Sequence, residues 1–166
     1  MSIRIDDPIE LLRREHDEAL AVLDRLEIAV RNLAAPGALA AVKQAIAFLD
    51  EDVRAHNERE EEILFPAIER YLVQGPTAVM RFEHRELWNL LGDLETAVRS
   101  TPPSPPVIFQ RGMAAADLLR RHIEKENGIL FPMAQQMLSP DEMSAIARQM
   151  EGLMEARASA RRSAAG

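Results

Sequence analysis

Two eleven-residue segments of this sequence lie over one another without a gap, HNEREEEILFP at 56–66 and HIEKENGILFP at 122–132. Histidine falls on histidine (His56, His122), glutamate on glutamate (Glu60, Glu126), and both segments end in Ile-Leu-Phe-Pro. Imidazole and carboxylate are metal-ligating groups, and i,i+4 spacing stacks them on one face of a helix. Two more histidines stand in a second repeated motif, EHDE at 15–18 and EHRE at 83–86, each about 40 residues before its H-x-x-x-E partner. The chain has four histidines, His16, His56, His84 and His122, and all four fall in these columns. With no cysteine in the sequence, thiolate metal sites, iron–sulfur ligation, disulfides and a cysteine nucleophile are excluded.

The elements that must position these groups are helices. Aromatics and glycines are few, Ala, Leu, Glu and Arg are abundant, and no segment alternates with a period of two. AAPG at 34–37, VQGPT at 73–77, STPPSPP at 100–106 and SPDE at 139–142 break the chain. Helices are expected over 8–34, 38–72, 77–99 and 107–138, with a shorter fifth near 140–157. Short links between long amphipathic helices make neighbours antiparallel, so the fold expected is all-α, an up-down-up-down four-helix bundle with an additional short C-terminal helix. One domain should occupy 1–158, with 159–166 a disordered basic tail. Ser139 can cap the fifth helix, with Pro140 at its first position and Glu142 at its third. The apolar face of that helix, Met143, Ile146, Ala147, Met150 and Leu153, can pack on the bundle or serve a homodimer or a protein partner.

Helical rise turns spacing into height. His16 and His56 lie 20 residues either side of Pro36, and His84 and His122 lie 19 either side of Pro103. Each hairpin therefore brings two histidines to one level, about 30 Å from its turn. His16 shares an inward stripe with Leu12 and Leu20, His56 with Val53 and Ile63, His84 with Leu87 and Trp88, and His122 with Leu119 and Ile129. Glu60 and Glu126 lie on the same stripes, whereas Glu58 and Glu124 should face away. Too many residues separate His56 from the middle turn, so the second helix should end or bend early, at Pro66, and Pro132 repeats that bend. Carboxylates facing an apolar core need counter-charge, and no lysine or arginine is placed to give it. Four imidazoles and two carboxylates suit two metals, Glu60 and Glu126 bridging and each ion receiving two nitrogens and two oxygens. Such a site favours iron or manganese, with zinc also compatible.

The EHDE and EHRE histidines and the two H-x-x-x-E segments ending in Leu-Phe-Pro resemble those of hemerythrin-like, HHE-type cation-binding domains. The resemblance spans nearly the whole bundle. It implies a non-haem di-iron centre, two iron ions with an oxo or hydroxo bridge, at His16, His56, Glu60, His84, His122 and Glu126. Oxygen-carrying members use five histidines and place the second bridging carboxylate at i+5, where this chain has Asn127. The sequence is thus more similar to the branch that includes iron-sensing and iron–sulfur-repair domains. Glu61, five residues after His56, is a further candidate for the metal shell, with a solvated glutamate as the alternative.

The resemblance implies binding of, or reaction with, a small diatomic or peroxidic ligand such as oxygen, nitric oxide or hydrogen peroxide. The alternative of another class is an iron- or oxygen-responsive sensor or interaction module without turnover. A net charge of −7 argues against nucleic-acid binding. The absence of a signal-like h-region or a membrane-length apolar run argues against a membrane partner and for a cytoplasmic protein.

Overall fold

Asp7 starts the first helix: its carboxylate accepts hydrogen bonds from the backbone N–H groups of Ile9 (2.8 Å) and Glu10 (3.2 Å), and Pro8 occupies the first position. The computed structural model describes residues 3–72 and 75–164, so part of the expected middle turn, residues 73 and 74, lies outside the described residues. Helix α1 spans Pro8–Arg31. Helix α2 runs over 38–69, α3 spans Pro76–Arg99, α4 runs over 105–137 and α5 spans Pro140–Ala164. Among the described residues there is no strand, and no helix is long and apolar enough to cross a membrane. The all-α four-helix bundle with a fifth helix is the fold of this chain, and α1 packs on both α2 and α4 while α3 packs on α4.

Several expected boundaries move. Helix α1 ends at Arg31 rather than 34, and α2 ends at Glu69 rather than 72. Helix α5 is longer than expected and helical through Ala164, which covers most of the segment expected as a tail; residues 165 and 166 lie outside the described residues. Its start is reciprocal, as the sequence indicated: Ser139 N–H donates to Glu142 Oε2 (2.8 Å) and Glu142 N–H to Ser139 Oγ (3.3 Å). Ile146, Ala147 and Met150 are buried, with Met143 and Leu153 packed at their edge, so the apolar face of α5 lies against the bundle.

Where bends were expected, α2 and α4 hold π-turns and stay helical past both prolines. Each long helix holds one where its H-x-x-x-E motif ends, Glu60–Leu64 and Glu126–Leu130, and α2 holds another at Leu49–Val53. Phe65 N–H bonds to the Glu60 carbonyl and Phe131 N–H to the Glu126 carbonyl, both five residues back. The wider turn leaves room for Pro66 and Pro132, which lack the N–H the helix would need. In α2 the Glu61 carbonyl accepts instead from Arg81 Nη2 (3.2 Å). In α4 the extra residue also shifts the inward stripe by one, whereas in α2 the expected Ile63 stays buried beside Leu64. Ile129, expected in the core below His122, is 57% exposed, and Leu130 takes the place at 1%.

Two apolar clusters bracket the histidine level. One, toward the 32–37 and 100–104 loops, includes Ala19, Leu26, Val53, Leu87 and Leu119; the other, covered by α5, includes Ile9, Leu12, Leu64, Phe65, Leu130, Phe131 and Met150. Gly112 lets α1 and α4 approach closely: a Cβ there would meet Val30 Cγ1 at 2.7 Å.

Candidate metal centre

All six predicted side chains, His16, His56, Glu60, His84, His122 and Glu126, are buried between the two apolar clusters. Each hairpin brings its pair of rings together, with Nε2 to Nε2 distances of 3.1 Å for His16 and His56 and 3.1 Å for His84 and His122. The donor atoms form two overlapping groups. One contains His16, His56, Glu60 and Glu126, the other Glu60, His84, His122 and Glu126, and within each group the donor atoms lie within 4.8 Å of one another. Both carboxylates belong to both groups, the position a bridge must occupy.

An oxygen stands behind every ring. His56 Nδ1 faces Glu15 Oε2 (2.8 Å) and His122 Nδ1 faces Glu83 Oε2 (3.0 Å), while His84 Nδ1 faces Glu61 Oε1 (2.6 Å) and His16 Nδ1 faces Asn127 Oδ1 (2.9 Å). These acceptors place the ring hydrogen on Nδ1 and turn the Nε2 lone pair inward, the tautomer a metal ligand needs. The first two bonds lie within a hairpin, the other two between hairpins. Glu15 is paired in turn with Arg59 and Glu83 with Lys125. Phe131 stacks on His16 (5.3 Å between centroids) under the Arg13 guanidinium, and Phe65 on His84 (6.0 Å) under that of Arg81.

None of these acceptors was assigned its role from the sequence. Glu15 and Glu83 sit one residue before a histidine, and Glu61 and Asn127 one residue after a bridging-type glutamate, off the inward stripe. The usable signal was the duplicated glutamate of EHDE and EHRE. Glu61 is outside the donor groups, against the outer nitrogen of His84. Glu124 is exposed, and Glu58 turns outward to pair with Arg157.

The centre lacks positive charge. The oxygens of Glu60 and Glu126 lie 3.1–3.5 Å from imidazole Nε2 atoms, yet none of the four receives a hydrogen bond. With the hydrogens on Nδ1, lone pairs face lone pairs, and leaving buried carboxylates in that state costs several kcal/mol. Protons are one source of charge. Burial disfavours a charged ring at His56, but attraction to Glu60 and the hydrogen bond to Glu15 override it and push its pKa up to about 10. At His122 burial is likewise overridden, by Glu126, and the pKa is pushed up to about 9. Burial also opposes ionisation of Glu60, whose histidine neighbours nonetheless hold its carboxyl well below the usual range. Divalent cations are the other source, and the donor set fits them: four imidazoles in the ligating tautomer and two carboxylates shared between two positions.

The model of the hemerythrin HHE cation-binding domain matches residues 7–134, from the cap of α1 to the last turn of α4. The chain belongs to this hemerythrin family. Among curated proteins, it is similar to the iron-sulfur cluster repair protein YtfE of Escherichia coli O81 (strain ED1a), 36% identical over 98 residues. It is 35% identical over 98 residues to the proteins of that name from Escherichia coli O1:K1 / APEC and Escherichia fergusonii. In each case the match covers 54% of this chain and 44% of the relative, so the chain spans less than half the length of those proteins.

This hemerythrin domain also holds a cavity of about 390 Å³ beside the centre. His16, His56 and His122 stand in its wall, together with Ala19, Val53 and Leu119 and with Met154 and Ala158 of α5. A break in the duplication falls at its wall: the position of Ala19 is filled in the second half by Leu87, which is buried. Asn57 lines the cavity as well, 4% exposed, with neither carboxamide atom hydrogen-bonded.

Proposed function

We propose that the chain is a di-iron protein that binds or reacts with a small ligand such as oxygen, nitric oxide or hydrogen peroxide. The observation that carries this reading is the set of four imidazole Nε2 atoms and four unbonded carboxylate oxygens facing one another in a buried layer. His16, His56, His84 and His122 would be the terminal ligands, with Glu60 and Glu126 as bridges; manganese or zinc can occupy the same donors. When bound, the iron pair supplies Lewis acidity and redox equivalents. The protein fixes the ring orientations through Glu15, Glu61, Glu83 and Asn127, excludes bulk water with the two apolar clusters, and leads a ligand in from the cavity. Within that cavity Asn57 offers an unused donor and acceptor, and burial together with the neighbouring Glu51 raises the carboxyl of Asp52, which also lines it, from its ordinary value. Repair of iron–sulfur clusters is said of the relatives, and the segments they carry beyond the matched part stand outside this proposal.

Anaerobic iron loading followed by metal quantitation tests the reading. Two irons per chain are expected, and a single zinc that iron cannot displace would overturn it. Ala19→Leu, which writes the second half's residue into the first, should slow azide binding to the loaded centre by roughly tenfold or more in stopped-flow optical traces, with metal content retained. Unchanged azide kinetics would remove the cavity from the ligand's path. The sensor reading has one observation in its favour: Met154, Arg157, Ala158 and Arg161 of α5 line the cavity, so its occupancy bears directly on that helix. Metal-dependent protease resistance of α5 without turnover of peroxide or nitric oxide would support it.

A further inference from the structure

The two halves of the centre match residue for residue, with one change of charge. His16 corresponds to His84, His56 to His122 and Glu60 to Glu126, and the match extends outward to Glu15 and Glu83, to Arg59 and Lys125, to Arg13 and Arg81, and to Phe131 and Phe65. Where the first hairpin has Glu61, the second has Asn127. Both reach across the bundle to an Nδ1 of the opposite hairpin, Glu61 to His84 at 2.6 Å and Asn127 to His16 at 2.9 Å. His84 therefore hydrogen-bonds to a carboxylate, and His16 to a neutral carboxamide.

That difference acts on the inward nitrogen. An anionic acceptor draws the Nδ1 hydrogen toward itself and leaves Nε2 richer in electrons, and its charge adds to the attraction for a cation; a carboxamide oxygen does both more weakly. The other paired contacts match in kind. His56 and His122 each face a glutamate that is itself paired with a cation, and Arg13 and Arg81 each lie over the phenylalanine stacked on the ring in question. Each of these arginines also has a carboxylate partner, Glu10 for Arg13 (3.8 Å) and Glu69 for Arg81 (2.6 Å).

We propose that Glu61 and Asn127 make the two ion positions unequal and set their order of filling: the first cation enters between His84 and His122, the second between His16 and His56. The proposal rests on the two-metal reading above. Glu61 and Asn127 are positioning residues that work through the imidazoles they hold. Changing an outer partner of a metal-bound histidine alters affinity by about 10- to 100-fold, and the two steps should be separated by a ratio in that range.

Zinc titration of the ¹⁵N-labelled chain, stripped of metal beforehand, tests this, because four histidines give four ring systems in a long-range ¹H–¹⁵N spectrum. At one equivalent the rings of His84 and His122 should move to metal-bound positions while His16 and His56 stay in place, and the second equivalent should move these two. Asn127→Glu should merge the steps, and the double exchange Glu61→Asn with Asn127→Glu should reverse the order, a result that loss of structure alone does not produce. Circular dichroism checks that each variant stays helical, and Glu61→Gln, which neutralises the charge at constant shape, should also merge the steps. Simultaneous movement of all four rings in the parent chain, His16 and His56 moving first, or an order unchanged in the double exchange would overturn the inference. Four rings unmoved through two equivalents would overturn the two-metal reading beneath it.

Discussion

Alanine at Glu60 should drop bound metal from two ions per chain to fewer than one, and alanine at Glu126 should do the same, whereas alanine at His16 should leave one ion in place. The asymmetry follows from membership. Each glutamate supplies an oxygen to both donor groups, while each histidine serves one. Removing a bridge leaves both ion positions one anionic ligand short and leaves the opposing carboxylate without the cations that neutralise it, a burial cost of several kcal/mol. Metal quantitation after iron loading reads the effect, and helicity at 222 nm should be retained, since the two apolar clusters that hold the bundle are untouched. Glu60→Ala protein that still carries two ions would show that the carboxylate does not bridge.

The parts of this centre that could be read from the sequence are those governed by helical periodicity. Equal counts from Pro36 and from Pro103 foretold that each hairpin would bring its two rings to one level, and the rings of each pair do meet at 3.1 Å. The bundle, the capping box at Ser139 and the inward placement of six donors follow from the same regularity. What escaped was whatever departs from it. A π-turn adds one residue to a helical turn, so beyond Glu126 the expected stripe pointed to Ile129 and the structure buries Leu130. Pro132 marked an irregularity, but a proline is as compatible with a kink as with a widened turn. The oxygens behind the rings lie one residue off the stripe, where an acidic side chain reads as solvated surface, and their role depends on which helices are neighbours. Asn57 and Arg59, both 4% exposed, were missed for a related reason, because α5 and its neighbours cover a face that the helix's own pattern leaves polar.

Stripped of metal by a chelator, the protein should become less heat-stable as the pH rises above neutrality. The folded-state pKa values of His56, about 10, and His122, about 9, lie above the ordinary imidazole value of about 6.5. Folding thus favours protonation of these rings. The associated stability is fully present below about pH 6.5 and is lost as the pH climbs through the folded-state values. The two rings share one cluster and their contributions do not simply add; together they amount to a few kcal/mol, on the order of 10 °C in Tm for a domain of this size. Burial opposes ionisation of Glu15, Glu60 and Glu83, but their partners depress all three carboxyls, so a second loss is expected as the pH falls below the usual carboxylate range. In the loaded protein, cations would take over the neutralising role of those protons, and the decline between pH 7 and 10 should flatten. Calorimetric scans of both forms across that window check the expectation, and a stripped protein with the same Tm at pH 7 and pH 10 would contradict it.

The crossing of the ring contacts between hairpins has a mechanical consequence. Three of the four donors at each ion position come from one hairpin and the fourth, a glutamate, from the other, and each hairpin also aligns one of its neighbour's rings. Two metal ions bound there would therefore act as a double clasp on a tethered pseudo-dimer. To part the hairpins is to break both carboxylate links and both crossed ring contacts together, so a loaded chain should resist separation at the seam between hairpins more strongly than anywhere within one, and release of the ions frees the seam first.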